Sequence, residues 1–191
     1  MTKLIRKALV GAAIALGSAS AFAGADVTFV HPEQMTDVPR WEKDRDSMQM
    51  VLTEHFNALA SRLPAGQNLK VEVLDIDLAG DVFPRVAAPP DVRIMKGRAD
   101  WPHITLRYRV EQDGKVVSSG ERQLTDPNYL LNINRYYNEM YAPEKQLLDT
   151  WFRKDPRITW VRSDDPERVA RAVAAVRALT HGRPVSDPVR R

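Results

Sequence analysis

The chain of 191 residues contains no cysteine. Disulfide bonds, thiol nucleophiles and thiolate metal ligands are therefore excluded, and packing must hold the fold together without covalent cross-links. Histidine is scarce as well, with four residues. This shortage of thiols and imidazoles leaves mainly carboxylate chemistry as a route to catalysis.

The sequence also lacks the common catalytic patterns. It has no Gly-x-Ser-x-Gly elbow, no His-Glu-x-x-His zinc helix, no glycine-rich phosphate loop and no Ser-x-x-Lys pair. Catalytic groups can still meet in space from distant positions. The residues therefore name no reaction, and we expect no cofactor.

A short apolar run marks the beginning of the chain. The run from Ala8 to Ala19 is shorter than the ~20 residues that a membrane-spanning helix needs, so we expect no transmembrane segment. Basic residues precede this run and small residues follow it at the positions that a signal peptidase reads, namely Lys3, Arg6, Lys7, Ala21 and Ala23. We predict that residues 1–23 are a cleaved signal peptide and that the protein is periplasmic or secreted.

Charge is balanced in total but unevenly distributed. Three of the 28 basic residues lie in the predicted signal peptide, so 25 basic and 25 acidic residues remain after cleavage. Residues 24–150 carry a net charge of −5 and residues 151–191 one of +5. The basic end can face an anionic membrane surface, an acidic partner or the chain's own acidic body. No basic cluster is interleaved with aromatic residues, so nucleic acid is not an expected partner.

The periodicity of apolar residues predicts both strands and helices. Apolar residues at helical spacing predict a helix from about Asp46 to Leu63, and Pro143 opens a shorter one. The residues from Gly80 to Asp100 predict a loop. Alternating residues predict strands at Asp26–Val30, Leu69–Asp77, His103–Val110 and Val116–Leu124, the last two joined by a turn at Asp113-Gly114. We predict an α+β fold in which an antiparallel sheet of about four strands is covered by helices.

A further helix is predicted from Ser163 to Gly182, where Val169, Val173, Val176 and Leu179 line one face. The chain is thereby divided into three regions. These are the signal peptide at 1–23, a single α+β domain at 24–157, and a basic helical extension at 158–191.

Five separated blocks carry a resemblance to a known family. The blocks are Asp26-Val-Thr-Phe-Val30 with Pro32, Val73–Gly80, Asp100-Trp-Pro-His-Ile104, Leu124-Thr-Asp126 with Asn128-Tyr-Leu130, and Glu144-Lys145 leading to Leu148–Lys154. Over about residues 25–155 the chain resembles the exported bacterial family catalogued as domain of unknown function 3016. The resemblance implies export and a single domain, and it implies no reaction, cofactor or catalytic residue.

The candidate catalytic residues are Asp77, Asp100, His103 and Arg107. His103 shares the polar face of its predicted strand with Arg107, and Asp100 lies just before it, so an acid, an imidazole and a guanidinium can converge on an anionic ligand. The competing interpretation is a solvated face on which Arg107 pairs with acids such as Glu121. We favour the solvated face.

Asp75, Asp77 and Asp81 are candidate metal ligands. Asp75 and Asp77 point to the same side of a strand, because alternate residues do, and Asp81 or Asp100 can join them. The stretch does not fit a calcium loop, since Ala79 and Val86 stand where oxygen ligands are required. We favour the alternative that these acids cap backbone amides at a strand end or pair with arginine.

Residues 128–141 hold four of the five tyrosines together with four asparagines, and we call them the Tyr/Asn segment. Tyrosine rings and asparagine amides suit recognition of a peptide, a glycan or another protein surface. The candidate binding residues are Tyr129, Asn132, Tyr136, Tyr137 and Tyr141. The alternative is an irregular segment whose tyrosines pack on the core while its asparagines satisfy turns.

Three functional hypotheses follow from these patterns. The first is a non-catalytic module of the cell envelope that binds a protein, a peptide or a glycan. The second is a hydrolase or carboxylate-metal enzyme that uses Asp77, Asp100 and His103. The third is association of the basic C-terminal helix with a membrane surface.

The signal-peptide prediction can be checked by mass spectrometry of the expressed protein. We expect a mature chain that begins at Gly24, and Ala23→Arg should leave the precursor uncut, because the peptidase accepts only small residues there. Phe22→Leu, at a position that the peptidase does not read, is the control. An intact chain that begins at Met1 in the cytosol of the wild-type strain would contradict the prediction.

Overall fold

The structure is a computed structural model that describes residues 24–83 and 92–159. The predicted signal peptide and nearly all of the predicted extension lie outside these residues. The described elements are strand β1 (Ala25–Phe29), a 3-10 turn (Pro32–Gln34), helix α1 (Glu42–Ala60), strands β2 (Gln67–Asp77), β3 (Asp81–Phe83), β4 (Val92–Ile94), β5 (His103–Gln112) and β6 (Lys115–Thr125), and helix α2 (Ala142–Lys154).

The main sheet has four strands in the order β1-β2-β5-β6. The pairs β2–β5 and β5–β6 are antiparallel, as predicted, and the α+β fold class is confirmed. Strand β1 instead runs parallel to β2. A parallel pair needs a long crossover connection, and α1 supplies it.

Helix α1 packs against the sheet through residues four or three positions apart. Met48, Leu52, Phe56 and Leu59 are all buried, and this spacing places them on one side of a helix. The helix begins at Glu42, four residues earlier than predicted. The prediction missed the first turn because its residues are polar and show no apolar periodicity. Acidic residues in that turn, Glu42 and Asp44, suit the positive end of the helix dipole.

The sheet buries one face and exposes the other. Val71 faces Tyr108 and Val73 faces Leu106 across the β2–β5 ladder, and all four lie in the core beneath α1 and α2. The intervening pairs form a charged face, on which Arg107 binds Glu72 at 2.8 Å and Glu121 at 3.1 Å. The alternation of buried and exposed residues therefore determines which side of the sheet the helices cover.

The hairpin between β5 and β6 turns at Asp113-Gly114, where both residues have positive φ angles. A register shift between Val110 and Glu111 interrupts the pairing near this turn. Val116 and Val117 are both exposed beyond the shift. By the apolar pattern alone either valine can face the core, and the irregularity leaves both of them outside.

The segment predicted as a loop from Gly80 to Asp100 contains a second, two-stranded sheet, formed by β3 and β4. Strands of three residues are too short to give a periodic signal. Gly80 precedes β3 with a φ angle of +83°, and a Cβ at this position would lie 2.8 Å from the carbonyl oxygen of Ile94. Only glycine combines this conformation with so close an approach to β4.

The carboxylate of Asp155 joins the end of α2 to the sheet. It accepts hydrogen bonds from the Tyr108 hydroxyl at 2.9 Å, from Arg122 Nε at 2.8 Å and from the Arg157 amide at 3.0 Å. Burial opposes ionisation of this carboxyl, but the bonds from Arg122, Arg157 and Tyr108 outweigh it and lower the pKa of Asp155. The buried charge is therefore fully paired.

Replacing Asp155 with asparagine should lower the free energy of unfolding by about 2 kcal/mol at pH 7, because charge-assisted hydrogen bonds are lost. Since the folded-state pKa of Asp155 is depressed, its stabilisation is present above the unfolded pKa of about 4 and disappears as the pH falls through the folded value. Urea titrations of both proteins at pH 7 and pH 3 measure the difference. A difference that stays constant between these two pH values would contradict the role of the charge.

Candidate functional site

A cleft of about 680 Å³ opens beside the first turn of α2, and we call it the central cleft. Its first wall consists of residues 37–41, which lead into α1, together with Asp44 and Ser47 of the helix. The second wall is formed by residues 78–82 with 92–95, and the third by residues 139–144. The volume lies within the range of small-molecule ligand pockets.

Arg93 connects the first two walls. Its guanidinium forms two bonds to the carboxylate of Asp37, at 2.7 and 3.1 Å. The same group donates to the backbone carbonyl oxygens of Gly80 at 2.7 Å and Leu78 at 3.1 Å. Nη1 makes all of these contacts except the second bond to Asp37, which comes from Nη2, so the two hydrogens of Nη1 are shared among the carboxylate and the backbone carbonyl oxygens.

Glu144 forms the base of the cleft from the first turn of α2. Its side chain is almost fully buried and accepts a hydrogen bond from the amide of Ala79 at 2.8 Å. Burial raises the pKa of Glu144, although the bond from Ala79 and the charge of Arg93 act in the opposite direction. Tyr141, just before α2, adopts a left-handed backbone conformation that turns the chain into the helix.

The opening of the cleft is lined by apolar side chains that remain exposed to solvent. Trp41 is 48% exposed, Met95 46% and Met140 60%, and these three residues come one from each wall. Arg40 lies over the Trp41 ring at 4.8 Å. Exposed apolar residues gathered around a cleft are typical of surfaces that bind a partner.

The structure places Asp77 and His103 side by side, on the last residues that pair between β2 and β5. Asp77 Oδ2 lies 3.5 Å from His103 Nδ1, and the indole N–H of Trp101 donates to His103 Nε2 at 2.9 Å. Burial raises the pKa of Asp77, and the charge of His103 lowers it in part. A histidine that acts as a base needs a free nitrogen, and here Nε2 already accepts the indole hydrogen.

Asp100 serves a different part of the molecule. Its carboxylate accepts hydrogen bonds from the amides of Lys96 at 2.6 Å and Arg98 at 2.8 Å, and from the hydroxyl of Tyr129 at 3.0 Å. Burial acts to raise the pKa of the Asp100 carboxyl, but these hydrogen bonds outweigh burial and lower its pKa. Asp100 therefore stabilises the turn after β4. Among the four predicted catalytic residues, a direct contact joins Asp77 to His103, while Arg107 lies in the ion pairs of the charged face.

The three predicted metal ligands also have separate contacts. Asp75 accepts bonds from the amide and the hydroxyl of Thr36, both at 2.8 Å, and Asp81 pairs with Lys96 at 2.7 Å. Asp77 faces His103. Within residues 24–83 and 92–159, no group of three or more histidine and carboxylate side chains is arranged to hold a metal ion.

Two residues of the Tyr/Asn segment hold it in place. Tyr129 is buried and donates to Asp100, and burial together with this bond raises the pKa of Tyr129 to about 12. Asn132 donates to both carboxylate oxygens of Asp126, at 3.2 and 3.0 Å. These contacts favour the interpretation that the two side chains support the segment from within.

Tyr136 joins the segment to the helices. Its ring lies edge-on to His55 of α1, with ring centroids 5.1 Å apart, and its hydroxyl lies near the Asp149 carboxylate of α2. Burial and the charge of Asp149 raise the pKa of Tyr136 to about 12. Tyr137 points outward with 84% of its surface exposed, and Tyr141 lines the central cleft. Of the five predicted binding residues, Tyr129, Asn132 and Tyr136 support the segment, Tyr137 is exposed to solvent and Tyr141 lines the cleft.

The fold and the cleft define an α+β domain with a one-sided sheet and a ligand-sized depression at the start of its last described helix. The chain belongs to the family described as Protein of unknown function (DUF3016), whose profile matches residues 23–154. The resemblance noted from the five sequence blocks is therefore confirmed.

Two further comparisons add no activity. A segment of 34 residues is 62% identical to part of a tRNA dimethylallyltransferase of Nocardioides sp. (strain ATCC BAA-499 / JS614), which covers 18% of this chain and 11% of that protein. So short a match leaves most of that protein without a counterpart. No solved structure matches the chain.

The importance of Arg93 for the cleft can be measured by hydrogen exchange. Arg93→Ala should increase amide exchange in residues 78–83 and 92–97 and lower the free energy of unfolding by about 2 kcal/mol, because Asp37 and three carbonyl groups lose their donor. Arg98→Ala, an exposed arginine on the adjoining turn, is the control. Unchanged exchange in Arg93→Ala would show that the walls hold together without the ion pair.

Proposed function

We propose that this protein is a non-catalytic binding module of the cell envelope, and that its central cleft takes up a segment of another envelope protein. The observation that carries this proposal is the ring of exposed apolar residues around a cleft of about 680 Å³. Burying such side chains against a partner gains roughly 25 cal/mol per Å² of apolar surface. A cleft of this kind favours binding through shape and apolar contact.

The polar groups at the base of the cleft support binding more than catalysis. The charges of Arg93 and Asp37 neutralise each other, and the Glu144 carboxylate accepts a hydrogen bond from the amide of Ala79. Ser47, which reaches the cleft, donates to the carbonyl oxygen of Lys43 in its own helix. A nucleophile needs an adjacent base that is free to accept its proton, and these groups are occupied by one another.

The character of the lining favours a basic and apolar segment over a glycan. Four acidic residues line the cleft, namely Asp37, Asp44, Glu139 and Glu144, against Arg40 and Arg93. Asp37 is paired with Arg93, and Glu144 is buried, so Asp44 and Glu139 are the acids that a partner can approach. Glu139 pairs with Lys145, whereas Asp44 forms no ion pair within the described ranges. Complementary charge of this kind orients a partner and speeds its arrival.

The enzymatic alternative rests on the contact between Asp77 and His103. It is less well supported, because Asp100 lies in another turn and Trp101 occupies His103 Nε2. The export of the protein remains part of the proposal and follows from the predicted signal peptide. Within the described ranges, no helix is both long and apolar enough to cross a membrane.

Photo-crosslinking in living cells tests the proposal. A benzophenone amino acid at position 41 should capture an envelope protein, and the captured peptide should carry basic and apolar residues. The same amino acid at position 50 is the matched control, because Met50 lies on α1 and is exposed but does not line the cleft.

The adduct at position 41 should fall at least about tenfold in an Arg93→Ala background, which corresponds to about 1.4 kcal/mol. Equal capture from positions 41 and 50, or capture that is indifferent to Arg93, would refute the cleft as the binding site.

A further inference from the structure

The segment after the described domain matches the central cleft in chemistry. The family match ends at residue 154 and the described chain at residue 159, and 32 residues follow. Within them, residues 168–183 contain four arginines and no acid. At 100° per residue in a helix, Arg171 and Arg177 fall on opposite sides of the apolar stripe that runs from Val169 to Leu179.

The cleft offers the complementary surface. Its opening is apolar, with Trp41, Met95 and Met140 exposed, and acidic residues outnumber basic ones in its lining. An apolar stripe with arginine on both sides can bury its valines against the opening while its guanidinium groups approach the acids. Asp44 is the acid on the first wall that forms no ion pair within the described residues, whereas Asp37 is paired with Arg93.

The length of the chain allows this contact. The cleft lies at the first turn of α2, and the chain leaves the opposite end of this 13-residue helix, which is about 20 Å away at 1.5 Å per residue. The predicted helix from Ser163 to Gly182 would span about 30 Å by the same rise. Residues 155–162 give enough chain to reverse direction before it. A tether this short gives a local concentration of the order of millimolar, so even a weak contact is populated.

We propose that residues 168–183 of the same chain occupy the central cleft when no partner is bound, and that a partner must displace them. This inference rests on the proposed function of the cleft. The segment thereby acts as a built-in competitor that raises the apparent dissociation constant for the partner. Because the family match ends before this segment, the competition belongs to this chain and not to the shared domain.

Paired cysteines in the full mature chain test the contact, since the natural sequence contains no cysteine. The substitution Ala172→Cys places one cysteine within the apolar stripe, and Met140→Cys places the other at the opening of the cleft. A short bismaleimide should join them within one molecule and give a faster band on a denaturing gel. The control pairs Ala172→Cys with Gln123→Cys, which is exposed on the charged face on the opposite side of the sheet.

We expect at least tenfold more intramolecular product from the 172/140 pair than from the 172/123 pair. Adding Arg171→Glu and Arg177→Glu to the first pair should reduce the product at least threefold, because the charges then repel. Equal yields from both pairs would overturn the inference. A product of twice the mass would assign the contact to a second copy of the chain and would overturn it as well.

Failure of this inference is distinguishable from failure of the proposed function. If the 172/140 pair gives no product while a photoreactive group at position 41 still captures a partner, the cleft binds partners without competition from the segment. If capture at position 41 also fails, the cleft is not a binding site. If the inference holds, the Arg171→Glu and Arg177→Glu variant should capture more partner than the wild type.

Discussion

The ion pair between Arg93 and Asp37 is the interaction on which the central cleft depends. It joins the short β3–β4 sheet to the segment before α1, and the same guanidinium binds the backbone carbonyl groups that follow β2. Without it, a two-stranded sheet of three-residue strands has too little buried surface to keep its position. The partners are 56 residues apart in the sequence, so the cleft forms only when the whole domain has folded.

The one-sided sheet determines where such a site can lie. Its apolar face is covered by α1 and α2, and its outer face carries ion pairs among exposed side chains, which solvent screens. The outer face carries a shallow depression of about 60 Å³ beside Glu72, Arg107 and Arg109, far smaller than the central cleft. The cleft lies instead where α2 begins and where the irregular segments meet. Loops supported by a rigid scaffold commonly carry binding residues.

Much of this fold follows from local patterns in the sequence. The alternation in His103–Val110 and the spacing of Met48, Leu52 and Phe56 predicted the strand and the helix that form the core. The cleft could not be predicted from such patterns, because Arg93 and Asp37 lie in stretches whose apolar residues show no periodicity. Trp41 and Glu144 were also missed as residues of the cleft. A glutamate in the first turn of a helix is usually an exposed residue that interacts favourably with the positive end of the helix dipole. The Tyr/Asn segment was noticed by composition, but composition does not tell a supporting tyrosine such as Tyr129 from an exposed one.

The most direct test of the binding account is the affinity of the purified mature chain for the peptide that is captured at the cleft. Titration calorimetry of this peptide against the wild type, Arg93→Ala and Arg107→Ala distinguishes binding at the cleft from binding at the charged face. The account predicts that Arg93→Ala weakens binding at least about tenfold, whereas Arg107→Ala leaves it unchanged. Weakened binding in Arg107→Ala with normal binding in Arg93→Ala would contradict the account and place the site on the charged face of the sheet.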